Sequence, residues 1–428
     1  MKLNKAFISL FVFLFVFTTV NIFSGSPLNE NSIKFENVST ATLVGQDGLV
    51  QKTTDGGITW VPQLTGITNV LHSNDIFTFT DQMTNEYKYQ FAVGENGVLI
   101  ATFDNGATWQ VLPTGVTENL KHIVTRSQYE MYVCGNNGTM LVSFDMGTTW
   151  QQMPVNSIEN LNRIALSGLD ANIEDVKAVV VGNNGTILYT KDFGATWQTS
   201  TTGQTTHLNS VTFAGGQIVI AVGDSGIILK SVDGGVTWTP MVSGTVLNLY
   251  DVKYLTDEIK RDLIVTGEDG TILMSNDLGE TWTAIESPAI NDLYAVNFGS
   301  STFGISTGSE GSKIYTTDGG LTWVSSITTT AVDAVIDEPV KLGQNYPNPF
   351  NPSTIINYSV GANSSVNIKV YDMTGREVRT LVNSFQNAGT YSVNFNASNL
   401  ASGIYFYVLR VNTGVNEITK TMRMILTK

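Results

Sequence analysis

Four acidic side chains, Glu118, Glu159, Asp251 and Asp292, stand near the starts of short apolar strand patterns, and paired carboxylates are the minimum equipment for cleaving a glycosidic bond. Acidic residues at loop ends are, however, most often simply solvated. Hydrolysis of an acidic sugar would also need an arginine cluster for the substrate carboxylate and a Tyr nucleophile. Between residues 26 and 339 the only arginines are Arg126, Arg163 and Arg261, the last inside a loop insertion, so that set is thin. His72, His122 and His207 share no metal-ligand spacing and read as ordinary strand residues. Asp224 and the pair Glu268 and Asp269 occupy a repeated turn position suited to Ca2+, but Asn, Ser and Gln at its equivalents argue against a regular ion site. The single cysteine, Cys134, lies in an apolar strand pattern and reads as a buried, inert thiol. These residues assign no catalytic, cofactor or metal site.

The elements that would hold them follow from a repeat. All seven Trp residues, Trp60, Trp109, Trp150, Trp197, Trp238, Trp282 and Trp323, end one motif. Five residues before each stands Asp: Asp55, Asp104, Asp145, Asp192, Asp233, Asp277 and Asp318. Gly stands three before, Thr one before, and Ser or Thr seven before. A Gly-x-x-Gly pair precedes each copy, from Gly45 and Gly48 to Gly308 and Gly311. The second Gly usually follows Asn or Asp, as in Asn96-Gly97, which suits a type I′ turn with positive φ at both central residues. In the Asp motif the carboxylate can accept hydrogen bonds from its own turn, each charge-assisted bond contributing about 1.5–3 kcal/mol, while Trp is expected to pack on the strand that follows. An apolar-x-x-apolar strand precedes each unit, for example Leu120–Ile123 and Leu249–Val252, with Phe35–Val38 in the first copy. The unit is therefore four antiparallel strands, and seven units predict an all-β, seven-bladed propeller over 26–328. No blade is visibly split, so ring closure is expected to rest on packing of the first blade against the last.

The Ser/Thr-x-Asp-x-Gly-x-Thr-Trp string resembles the Asp box, or BNR repeat, of sialidases and related propellers. The regular series, with Gly-x-x-Gly ahead of each box, is similar to the photosystem II assembly and stability factor-like propeller. That resemblance implies architecture and leaves activity open, because Asp boxes mark the fold and not the chemistry. Three insertions, 81–88, 170–177 and 256–261, fall between the first and second strands of alternate blades. They are expected on the face of the Asp boxes, opposite the Asn-Gly turns, where they would ring a binding surface or stand as solvated hairpins.

The ends supply the address. Lys2 and Lys5, then an apolar run over 6–20 and a small polar stretch at 24–26, read as a secretory signal peptide over 1–25. The run is short for a permanent membrane anchor. Residues 26–339 carry 13 Lys and Arg against 34 Asp and Glu, a net −21 that repels phosphate backbones and argues against nucleic-acid binding. Residues 340–428 carry 8 against 3, a net +5.

After a linker over 329–341 the chain changes character. Asn345, Tyr346, Pro347, Asn348, Pro349, Phe350, Asn351 and Pro352 forbid helix and interrupt a sheet ladder. Alternating strands at 355–360, 366–371, 391–395, 404–411 and 422–426 then predict a small immunoglobulin-like β-sandwich over 342–428. This tail resembles the type A sorting domain of type IX secretion. The resemblance is carried by Asn345 to Pro352, then by Tyr371, Asp372, Gly375 and Arg376, then by Gly403 and Tyr405. It implies passage through the type IX machinery to the outer surface or the medium. Two readings of the propeller stand: a non-catalytic binding scaffold for a protein or glycan ligand, and a secreted glycan-cleaving hydrolase.

Overall fold

The computed structural model describes residues 28–80, 86–127, 129–167, 175–256, 261–326, 340–360, 364–386, 389–412 and 417–427. The expected signal peptide and linker, and the central parts of the three insertions, lie outside them.

Apart from single 3-10 turns, the described residues form only strands. Seven consecutive antiparallel meanders run from Glu30 to Val324, each drawn from one continuous stretch of chain. The third blade shows the plan. Leu120–Thr125 pairs with Met131–Gly135, that strand with Met140–Ser143, and that with the two-residue strand Gln151–Gln152. Burial falls steeply outward: every residue of Met131–Gly135 is buried, whereas both outer glutamines are exposed. A strand covered on both faces by neighbouring blades must be apolar on both faces, hence its unbroken apolar sequence. The seventh blade has three strands and a bridge from Tyr315 to Val324 in place of the fourth.

The first strands, Glu30–Phe35, Leu71–Thr80, Leu120–Thr125, Leu161–Leu166, Leu208–Phe213, Leu249–Thr256 and Leu293–Phe298, each lie against the next, and the last returns to the first. They line the axis of a closed ring. The first blade departs from the sequence expectation. Its inner strand is Glu30–Phe35, and residues 36–38 belong to the turn after it. Glu30 occupies the place held by Leu in the other six blades, so no apolar pattern announces the strand. Its buried carboxylate pairs with Lys313 of the seventh blade. Burial raises the Glu30 pKa, and the ammonium of Lys313 pulls it back.

Closure is side-by-side packing with added polar joins. Asn297 Nδ2 donates to Ile33 O at 3.0 Å, and Tyr315 OH donates to Gly57 O at 3.1 Å. Seven apolar clusters fill the seven gaps between neighbouring blades, and each takes in one Trp of the Asp motif. The Trp therefore does not pack on the strand that follows, which is short and exposed. Trp238, for instance, joins Val179 and Val181 of the preceding blade.

The turns explain why these residue types recur. Asn96 (φ 56°) and Gly97 (φ 68°) form the expected I′ turn, and a Cβ on Gly97 would stand 2.0 Å from the Val116 carbonyl of the connection to the next blade. In the Asp motif of the sixth blade, Asp277 Oδ1 accepts from Ser275 Oγ (2.8 Å) and Thr281 N (2.9 Å), and Oδ2 from Thr281 Oγ1 (2.6 Å). Ser275 Oγ also accepts from Gly279 N at 2.8 Å. The same geometry repeats in the other six boxes. Burial alone would raise the Asp277 carboxyl, but these bonds together hold it at about 2.

In the tail, Lys341–Leu342, Ser353–Val360 and Gly389–Asn396 form one sheet. Glu377–Gln386, Ser364–Tyr371, Gly403–Asn412 and Glu417–Leu426 form another, and the two enclose a core that includes Phe350, Ile356, Tyr407 and Leu409. Glu377–Gln386 was not expected from sequence. It is an edge strand, mostly exposed, and register shifts against Ser364–Tyr371 scramble its alternation.

Candidate functional site

The inward residues of the first strands converge in the central channel. Position by position the channel passes a layer of Ser32, Ser73, His122, Arg163, Ser210, Asp251 and Ala295, then a layer of Lys34, Asp75, Val124, Ala165, Thr212, Lys253 and Asn297. Two ion pairs organise it. Lys34 Nζ lies 3.1 Å from Asp75 Oδ1, while Asp75 Oδ2 accepts from Thr125 N and Oγ1, both at 2.7 Å. Arg163 Nη2 lies 3.1 Å from Asp251 Oδ1, which also accepts from Ser210 Oγ (2.8 Å) and Val252 N (2.9 Å). Asp251 Oδ2 accepts from Val296 N of the next blade at 3.1 Å.

Lys253 completes the group. It is half-buried, and no carboxylate lies within ion-pair distance of it among the described residues. Burial and the nearby charge of Lys34 push its ammonium down to about 7, with Asp251 and Asp75 pulling the other way and Arg163 adding to the depression. His122, fully enclosed, is held neutral by burial and by the same three cations. Burial and Lys121 lower His72 to about 4. The inner strands thus bring three basic side chains together with two carboxylates, and both carboxylates are already engaged.

The other sequence candidates lie elsewhere. Asp292 Oδ1 accepts from Asp269 N at 3.1 Å, capping the I′ turn of the preceding blade. Asn119, Asn160, His207, Asn248 and Asn29 do the same at the equivalent joints. Asp292 is one member of a structural set, and His207 is another, with Nδ1 as acceptor. Glu159 accepts from Asn184 Nδ2 at 2.9 Å, and Glu118 accepts from the backbone N–H of Thr117 at 3.1 Å. Arg126 stacks on Phe193 with its guanidinium carbon 3.8 Å from the ring centroid and pairs with Glu130 at 3.4 Å. It is therefore engaged apart from Arg163, and the side chain of Arg261 lies outside the described residues. Burial pushes the Cys134 thiol up to about 12. Among the described residues no group of three or more His, Cys, Asp or Glu is placed to hold a metal ion. The cap series was open to sequence reading, since Asn, Asp or His precedes the first inner-strand residue in each case, but it carries no apolar signal.

The 1–2 connections and the Asp boxes share one end of the ring, since Gly56 N donates to Ser39 O and Gly234 N to Gln217 O. Two of the insertions lengthen the hairpins of their blades: the pairing of the second blade runs out to Thr80 and Glu86, and that of the sixth to Thr256 and Arg261. The second-blade hairpin carries stacked aromatic rings, Phe79 against Tyr87 at 4.9 Å between centroids.

In the tail, Asn345 is buried. Its Nδ2 donates to Pro347 O and Thr354 Oγ1, each at 3.0 Å, and its N–H donates to Tyr407 OH at 2.9 Å. Asn348 Oδ1 accepts from Ile425 N at 2.9 Å, and Phe350 N donates to Ile425 O at 2.9 Å, so the Pro-rich stretch is tied to the final strand. Asp372 accepts from Thr374 and Arg376 in a tight turn completed by Gly375 at φ 80°. Those bonds, led by the Thr374 hydroxyl, hold its carboxyl at about 2.

Residues 344–425 match the secretion system C-terminal sorting domain, and residues 164–287 match the photosynthesis system II assembly factor YCF48 family. No curated protein sequence matches. Among solved structures, YCF48 bound to D1 peptide is similar at 19% identity and TM-score 0.55, over 68% of this chain and 92% of that one. YCF48 from Cyanidioschyzon merolae gives 16% identity and TM-score 0.53, over 68% and 96%. The WD40 propeller of Doa1 gives 15% and 0.52, over 68% and 93%. The chain therefore carries a YCF48-like propeller ahead of a type IX secretion sorting domain, which marks it for secretion or the cell surface. No helix of the described residues is long and apolar enough to cross a membrane.

Proposed function

We propose that the exported propeller is a non-catalytic binding module, with the mouth of its channel and the Asp-box face as the ligand surface. The observation that carries this is the fate of the carboxylates. Each candidate acid accepts hydrogen bonds within the fold, and Asp251 is enclosed by four donors. A glycosidase needs one carboxylic acid free to give its proton and a second carboxylate facing it across the substrate. The channel instead leaves Lys253, its ammonium held down to about 7, without a carboxylate partner among the described residues, and an anionic group on a bound chain would restore its charge. The similar solved structure of YCF48, bound to D1 peptide, supports a peptide as ligand class. We place the working units at 26–328 and 342–428, with Asp55, Asp104, Asp145, Asp192, Asp233, Asp277 and Asp318 and their Trp partners as structural staples.

The test is release of reducing ends and free sialate by the purified propeller over polysaccharides and sialosides, beside binding of peptides with free and amidated C-termini. The expected result is no turnover, and peptide binding that weakens on Lys253→Met. Turnover abolished by Asp251→Asn would establish an enzyme and refute the proposal.

A further inference from the structure

The sorting domain presents one sheet face to its own core and the opposite face outward. Register fixes which residues share the outer face. In Gly403–Asn412 the inward set includes Tyr405, Tyr407, Leu409 and Val411, so Ile404, Phe406, Val408 and Arg410 point outward. Phe406 pairs across to Arg423 on one side and to Tyr371 on the other, and Val408 to Thr421 and Lys369. The result is an apolar stripe on a central strand with Lys369, Arg410 and Arg423 set around it.

The charge of this face is mainly positive: Glu377 also lies on it and takes up Lys369, which leaves Arg410 and Arg423 beside the stripe. The tail holds only three acids, and two of them are paired, Glu377 with Lys369 at 2.7 Å and Asp372 with Arg376 at 3.0 Å. Arg410 and Arg423 are exposed and have no ion-pair partner among the described residues. An outward Ile, Phe and Val row on a sheet is the apolar centre of an interface, and exposed cations beside it choose an acidic rim. The surface is broad and regular, with its apolar residues half-buried in the strand; a lipid anchor would instead project its apolar side chains.

We infer that this outer face is the docking surface of the tail, and that it seats an acidic, apolar-centred protein surface of the secretion machinery. The inference rests on the tail being a sorting domain. Charge complementarity selects the partner, because the face is basic and apolar together. It also makes the acidic propeller of the same chain the main competitor.

The full chain in its exporting host, carrying a photo-crosslinking residue in place of Val408, tests this directly. The expected product is an adduct with a second protein whose own loss blocks export. Arg410→Glu with Arg423→Glu should abolish the adduct and cut the exported fraction by roughly tenfold or more, whereas Lys at both positions should preserve both. The thermal midpoint of the purified chain should stay unchanged in all variants, since both arginines are exposed. An adduct within the chain itself, a lipid adduct, or normal export of the charge-reversed variant would each overturn the assignment. Deletion of 340–428 serves as the separate check: export without the tail would remove the sorting reading itself, not only its docking face.

Discussion

Replacing Asp251 with Ala removes the acceptor for four donors at the centre of the ring. The N–H of Val296 loses its side-chain acceptor in a buried site, an orphan that costs about 1–3 kcal/mol, while the N–H of Val252 keeps Ser210 Oγ at 3.3 Å and loses about 0.5–1.5 kcal/mol. Arg163 loses its carboxylate, but its side chain is 23% exposed and water can take over part of that interaction, so about 1 kcal/mol is a fair share. Taking about 1 kcal/mol for each of the two N–H groups, because the channel is polar, the sum is about 3 kcal/mol, the low end of the range found when one partner of a buried pair is removed. Asp251→Asn keeps an oxygen for Ser210 and Val252 and loses only the charge, so about 1–2 kcal/mol is expected. Urea denaturation followed by Trp fluorescence reads the difference: with a slope near 3 kcal/mol/M for a chain of this size, Asp251→Ala should lower the midpoint by roughly 1 M. A shift of less than about 0.2 M would mean that the enclosed carboxylate does not hold the fifth, sixth and seventh blades together, and the reasoning about the channel would fail.

Gly235→Ala should destabilise by about 2–4 kcal/mol, because φ is +94° and a Cβ would meet Val179 Cγ2 of the preceding blade at 2.8 Å; Gly66→Ala, with φ +73° and open space, should cost only about 1 kcal/mol. Thermal melts of the two variants decide it. Lys253→Met should stabilise the chain most below pH 7. The folded pKa of Lys253 lies under its unfolded value, so its charging penalty is fully present below about 7 and fades as pH rises toward the ordinary lysine range. Melting scans from pH 6 to 10 should therefore show the gain shrinking with pH, and a constant gain would contradict the assignment. Cys134 should resist iodoacetamide in the folded chain and react fully once denatured, read by intact mass, since its thiol is enclosed and held up to about 12.

Much of the scaffold was legible because local chemistry dictates it. Two positive φ values in a row demand Asn-Gly or a near equivalent, and the Asp box satisfies its own turn, so both leave residues at fixed spacing. What escaped reading depends on neighbours distant in sequence. Glu30 replaces the usual Leu because Lys313, at the far end of the propeller, accepts its charge. The box Trp turns toward the preceding blade because that is where an apolar gap exists, a fact no single repeat contains. The channel ion pairs join the first blade to the second and the fourth to the sixth, so nothing in one unit announced them. Glu377–Gln386 was missed for the opposite reason, since an exposed edge strand has little burial to impose alternation.

Each blade takes its strands from its own stretch of chain, and the join between last and first is an apolar cluster like the other six, with the Glu30–Lys313 pair added. Such a ring shares no strand across its seam. New ends opened at the connection around Gly66 would leave every strand pairing of the propeller intact. The same property suits an exported chain: no early segment has to wait, unpaired, for a partner strand that arrives last.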